Sequence, residues 1–200
     1  MFDLKHVDVV LLQETGRVNF PAGILAPTFT TANYSNDPNN PYATIATLVN
    51  RSNHIVESDQ LYHGRLNYTV FKRQNSNFYK TVFNVYLPPQ NTIEAHRILD
   101  NLFLSIRNQI ATIKTKFNCS FFAIGGDFNI DPSVPGPKSE KLLSFLEQEN
   151  LFSVDDSSLP TWRGGGATEP TCPAKLTTFS LIKNVFPNTH NFSLRFQTMQ

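Results

Sequence analysis

Ser120-Phe121-Phe122-Ala123-Ile124-Gly125-Gly126-Asp127-Phe128-Asn129-Ile130 is the stretch on which the reading of this chain turns. Phe121 to Ile124 is a short apolar run, the pattern of a buried strand. Two glycines follow, and without a Cβ they let the backbone turn sharply. An acid, Asp127, and an amide, Asn129, come next, two residues apart. Gly, Asp and Asn are ordinary turn formers. By itself the segment fits a β-turn as well as it fits polar groups set at the mouth of a rigid sheet. The rest of the chain decides between the two.

Two hundred residues suit a single domain, 1–200, with a sizeable core. Hydrophobic residues make up 40%, with 17 Phe, and charged residues only 16%, below the roughly 25% of ordinary globular domains. The composition is that of a folded chain. A net charge of +1 gives no global case for nucleic acid. From Ser157 onward, however, Glu169 is the only acid against Arg163, Lys175, Lys183 and Arg195, which allows a local basic face. Cys119 and Cys172 read as reduced thiols and not a disulfide framework. The opening Met1-Phe2-Asp3-Leu4-Lys5-His6 lacks the pattern of a secretory leader. Val7 to Leu12 is too short to span a bilayer. These features are those expected of a soluble intracellular monomer of nucleus or cytoplasm, with no membrane partner.

Val7 to Leu12 reads as a buried strand that delivers Gln13 and Glu14 at its end. Residues 16–42 read as loop with a short strand near Ile24-Leu25. Ala43 to Val49, Gln60 to Lys72 and Phe78 to Leu87 read as strands, with Val82, Asn84 and Tyr86 in period-two alternation. Pro88-Pro89 ends the last of these, and Asn91 with Glu94 makes an N-cap pair. Leu99, Leu102, Phe103, Ile106, Ile110 and Ile113 then recur at helical spacing, a long amphipathic helix. Ser139 to Glu149 predicts a shorter helix with Leu142, Leu143 and Leu146 inward. Thr161-Trp162-Arg163 and Thr177 to Phe186 predict strands, with a Gly/Pro loop from Gly164 to Pro173 between them. Helices set among more numerous strands predict an α/β or α+β sandwich.

Three strand ends thus carry polar groups after apolar runs: Gln13/Glu14, Asn84/Tyr86 and Asp127/Asn129. Val9 to Thr15, Asn84 to Pro89, Gly125 to Asn129 and Pro160 to Arg163 resemble, in order, the motifs of the endonuclease/exonuclease/phosphatase family. That family includes DNase I, apurinic endonucleases and the endonucleases of LINE-type retrotransposons. The resemblance implies a DNase I-like four-layer β-sandwich flanked by helices. It implies Mg²⁺-dependent (or Mn²⁺-dependent) hydrolysis of a phosphodiester, with DNA as the substrate. Glu14 would hold the metal, and Asp127 would orient or deprotonate the attacking water. Asn129 and Tyr86 would donate to the scissile phosphate, and Asn84, Thr161 and Arg163 would touch the substrate. The Asp155/Asp156 pair reads as a solvated turn, and His6, His54, His63, His96 and His190 match no motif.

The chain departs from the family's pattern in three places. The family's opening strand, with an Asn that helps hold the metal, has no counterpart before Met1. Lys183, in Ser180-Leu181-Ile182-Lys183-Asn184-Val185-Phe186, stands where an Asp orients the catalytic histidine. A cation cannot accept that imidazole N–H. The closing Ser-Asp-His segment is not found. The expectation is a truncated or degenerate copy of low activity, with sheet edges left unpaired by the missing first and last strands. Two alternatives stand beside it: a lipid or inositol phosphate phosphohydrolase of the same superfamily, and a non-catalytic nucleic-acid-binding remnant.

Overall fold

Alternation along β1 (Val9–Gln13) sets out the layers. Val9 and Leu11 enter one apolar cluster with Val49, Phe71, Val82, Phe121 and Ala123. Val10 and Leu12, on the opposite side, join Phe29, Ala46 and Leu48. Successive side chains of a strand face opposite ways, so β1 is covered on both faces and every one of its residues is buried. The structure is a computed structural model that describes residues 7–15, 27–130, 134–153, 181–183 and 194–198.

After β1 come β2 (Phe29–Asp37), β3 (Asn40–Asn50), β4 (Asn53–Tyr62), β5 (Leu66–Arg73) and β6 (Lys80–Tyr86). Helix α1 (Ile93–Phe117) leads to β7 (Phe121–Asp127), and α2 (Pro137–Glu149) to the short β8 (Phe152–Ser153). The last described strands are β9 (Leu181–Lys183) and β10 (Leu194–Thr198). One sheet runs β10-β1-β3-β2 and the other β4-β5-β6-β7-β9-β8. The cluster around Val9, Phe71 and Val82 draws on both sheets, so they pack face to face. The fold is mixed α/β, two sheets with helices outside.

β6 and β7 are parallel neighbours, and a parallel pair needs a crossover; α1 supplies it. Its Leu99, Leu102, Phe103, Ile106, Ile110 and Ile113 are all buried, as their spacing predicts. They pack on Phe83, Val85, Phe122 and Ile124, the outward residues of β6 and β7. Each such side chain contributes roughly 1.5–3 kcal/mol on burial, before conformational entropy is counted. Leu142 and Phe145 of α2 complete the cluster.

Several local expectations are corrected. Phe29–Asp37 is a strand within what reads as loop; its polar residues pair with β3 through two register irregularities. Gln60 to Lys72 is not one strand, because Gly64, at φ +63, turns the chain between β4 and β5. The α1 cap is Thr92, whose side chain accepts from the Ala95 N–H at 3.2 Å. Asn91 instead bonds the His96 ring at 2.8 Å. In α2 it is Phe145 that turns inward, while Leu143 is 49% exposed. Gly125 and Gly126 do not break β7, which continues through them to Asp127.

β1 has a neighbour on each side, β3 on one and β10 on the other. β10 lies parallel to β1, with Leu194 opposite Val9 and Thr198 opposite Gln13. β9 falls within the strand expected over Thr177 to Phe186 and pairs antiparallel with β7, Lys183 opposite Phe122. Thr161, Trp162, Arg163, Cys172, His190 and the Asp155/Asp156 pair lie outside the described residues.

Candidate active site

The facing surfaces of the two sheets change character along their length. At one end they are apolar: Val9, Leu11, Val82, Phe121 and Ala123. Further along the same faces come Gln13 and Asn84, two residues on, and Asp127, four residues on, all buried polar groups. The alternation that aims Val82 between the sheets also aims Asn84 and Tyr86 there. Side chains read from three separate strands therefore meet at one end of the sandwich.

Glu14 follows directly on β1, with a left-handed backbone, φ 54. Its N–H donates to Thr44 O at 2.7 Å, which fixes that turn against β3. The Tyr86 hydroxyl donates to Glu14 Oε1 at 2.5 Å. Tyr86 and Asp127 are register partners on the parallel strands β6 and β7. Burial is the main cause that pushes the Tyr86 phenol well above its ordinary range, with Glu14 and Asp127 adding to it. The phenol stays a proton donor.

Asp127 is 3% exposed. Burial raises its carboxyl to about 6; Glu14 adds to the rise and Asn129 opposes it. The Asn129 backbone N–H donates to Asp127 Oδ1 at 2.9 Å. That geometry needs the left-handed φ of 47 at Asn129, which Asn tolerates better than most residues. The Asn129 side-chain amide donates to Leu87 O at 2.8 Å, and Leu87 N–H donates to Asp127 O at 2.8 Å. In this structure Asn129 orients the carboxylate.

Gly126 is required for a reason the sequence does not display. Its φ is +136, and a Cβ there would lie 1.9 Å from Val85 O. The glycine lets β7 close on β6 just before Asp127.

Asn84 is placed otherwise than expected. It is fully buried, accepting from Gln13 Nε2 at 2.6 Å and donating to Ala46 O at 2.9 Å. Both groups of its amide are spent across the gap between sheets, so it ties β6 to β1 and β3 and does not face a substrate. Arg65 is a residue the sequence reading passed over. A turn arginine carries no pattern, and only Gly64 before it hints at a fixed turn. It is buried at 6% exposure beneath Tyr86.

The arrangement offers two carboxylates, one open to solvent and one buried, with a phenol and an amide between them. Among the described residues no group of three or more His, Cys, Asp and Glu converges on one point. Thr15 Oγ1, next to Glu14, is buried without a partner among the described residues. A pocket lies elsewhere, between α1 and α2, lined by residues that include Phe103, Arg107, Lys141 and Phe145.

Two facing sheets with α1 packed outside, and polar residues gathered at one end of the facing surfaces, make a DNase I-like fold. Solved structures of similar fold bear this out. The human Nocturnin catalytic domain with bound sulfate matches at a TM-score of 0.64 and 14% identity, over 88% of this chain and 69% of that one. The endonuclease domain of TRAS1, a telomere-specific non-LTR retrotransposon, matches at 0.59 and 14% identity, over 89% of this chain and 85% of that one. An endonuclease/exonuclease/phosphatase from Bacteroides vulgatus matches at 0.60 and 16% identity, over 88% and 73%. No family model and no curated protein matches the sequence. No helix among the described residues is long and apolar enough to cross a membrane.

Proposed function

We propose that this chain is a phosphodiester hydrolase of nuclease type, acting on DNA with Mg²⁺ or Mn²⁺, and that its turnover is low. The observation that carries the reading is the meeting of Glu14, Tyr86, Asp127 and Asn129 at the ends of β1, β6 and β7.

The donor set suits a hard divalent ion. Magnesium is held by one or two carboxylates and keeps several waters, and Glu14 is exposed, with its Oε1 accepting from Tyr86. Glu14 would hold the ion, and the ion when bound supplies positive charge for the phosphoryl oxygens. Asp127 is the base. A carboxyl at about 6 is ionised at neutral pH yet basic enough to take a proton from water attacking in line. Tyr86 donates from its protonated phenol, and Asn129 holds the Asp127 carboxylate toward the water. In the full proposal Asn129 also donates to the phosphate, Tyr86 turns its single O–H from Glu14 to the phosphate when substrate arrives, and Thr161 and Arg163 contact the substrate backbone. Lys183 supports the low turnover, since the residue that the resemblance expects there is an acceptor for an imidazole. His63 and His96 are engaged elsewhere, with Gln60 and Asn91.

Nicking of supercoiled plasmid tests the reading. The expected result is slow cleavage that needs Mg²⁺ and disappears in Asp127→Ala. Rapid wild-type cleavage would overturn the low turnover. Salt-dependent DNA retention without products would replace the hydrolase with a binding remnant. Turnover of a phospholipid or inositol phosphate in place of DNA would move the substrate class.

A further inference from the structure

Arg65 presents a problem of charge. It sits between β4 and β5 at 6% exposure, and a guanidinium brings five N–H donors and a full charge with it. Burying such a group is costly unless something nearby compensates. Its backbone N–H donates to Tyr62 O at 3.1 Å, but its side-chain contacts among the described residues go to Tyr86. The guanidinium carbon lies 5.4 Å from the centre of the Tyr86 ring, within cation–π range. Nη1 donates to Tyr86 O at 3.4 Å, and Tyr86 N–H donates to Arg65 O at 2.8 Å. Tyr86 in turn donates to Glu14.

The turn that delivers Arg65 is fixed with unusual strictness. At Gly64 a Cβ would meet Ala43 O at 2.0 Å and Asp37 N at 2.5 Å. The Gly64 N–H donates to Ser35 Oγ at 2.7 Å, and Ser35 donates to Gln60 Oε1 at 2.6 Å. The Gln60 side-chain amide then meets His63 Nδ1 at 2.9 Å. A residue placed by this many restraints and spent on a single tyrosine is doing more than filling space.

We infer that Arg65 is a positioning residue: it clamps the ring and backbone of Tyr86 so that the hydroxyl holds Glu14 Oε1 and leaves the other carboxylate oxygen facing the site. The purpose assigned to that site rests on the hydrolase reading, but the clamp itself does not. The positive charge also offsets the negative charge that Glu14 and Asp127 bring to the same end of the sandwich, and it opposes their upward push on the Tyr86 phenol.

The full chain carrying Arg65→Met or Arg65→Lys tests this. With ¹³C-labelled tyrosine, the Tyr86 ring signal is assigned by its loss in Tyr86→Phe. That signal shifts in Arg65→Met, while those of Tyr34, Tyr42, Tyr62, Tyr68 and Tyr79 stay in place. Arg65→Lys keeps the charge but loses the planar fork, so it shifts the signal less and guards against a Met variant that fails to fold. Mn²⁺ affinity is the second reading. Loss of a group that orients a ligand weakens metal binding by about tenfold or more, and in a Tyr86→Ala background Arg65→Met has no further effect. An unmoved Tyr86 signal in folded variants overturns the clamp. An equal loss of Mn²⁺ affinity with and without Tyr86 overturns the route through tyrosine. A wild-type protein that binds no Mn²⁺ counts against the hydrolase reading, and the ring signal alone then decides the clamp.

Discussion

At 3% exposure the Asp127 carboxyl is costly to ionise, and burial lifts it from 3.8 to about 6. The sign of the consequence follows from linkage. A folded state that holds the proton more tightly than the unfolded chain loses stability as pH rises from about 4 to about 6. Above that window the loss is constant. Asp127→Asn removes the charge while its Oδ1 still accepts from Asn129. The variant should gain about 3 kcal/mol at pH 8 and little at pH 4, read by urea unfolding at the two values. It should also lose the acid limb near pH 6 in any wild-type rate profile, because that limb reports ionisation of the base. The pair of residues that makes this chemistry was legible in sequence as Asp-x-Asn. Its raised carboxyl was not, since burial is a property of what surrounds a residue and not of its neighbours in the chain.

At the scale of the element, β7 shows how a strand and a turn signal are reconciled. Gly125-Gly126 reads as a break, yet the strand runs on because Gly126 adopts φ +136 against the Val85 backbone. Gly126→Ala would place a Cβ 1.9 Å from Val85 O. It should cost about 3 kcal/mol or more, from strained backbone and overpacking together, and should lower activity by displacing Asp127. Thermal unfolding measures the first effect; an Ala variant as stable as wild type would refute the close approach. Helix α1 was the most legible element, because six apolar residues at helical spacing leave one face to bury. β2 was the least legible. Its Asn and Asp residues disfavour strands locally, and pairing with β3 overrides that preference.

Across the whole molecule, the two sheets are joined by polar contacts as well as apolar ones. Gln13, Asn84, Thr47 and Asn67 form a buried line between them, with Thr47 donating to Asn67 at 2.7 Å. Buried polar groups that lose a partner cost about 1–3 kcal/mol each. Asn84→Leu strands both Gln13 and the Ala46 carbonyl, so a loss of about 3 kcal/mol is expected in urea unfolding. Were Asn84 a substrate contact instead, activity would fall with stability unchanged. The proposed metal site is also a property of the assembled molecule, since Glu14 and Asp127 come together only in the fold. Mg²⁺ at a hundredfold excess over its dissociation constant should stabilise the native state by about 2.7 kcal/mol. Chelation with EDTA, or Glu14→Ala, should erase that shift in thermal unfolding.

The sequence by itself determined the alternation of strands, the amphipathic face of α1 and the polar residues that end β1, β6 and β7, because each depends on a short repeat or a local signal. Tertiary structure decided the rest. Asn84 became a tie between sheets, Arg65 a buried cation under Tyr86, and β10 a parallel partner beside β1. Each of these depends on which distant segment lies opposite, and pairing across dozens of residues leaves no periodic trace in the chain. The Gly-Gly-Asp-Phe-Asn segment belongs to both accounts: its residue types suggest a site, and only the surrounding fold buries the Asp127 carboxyl and raises it to about 6.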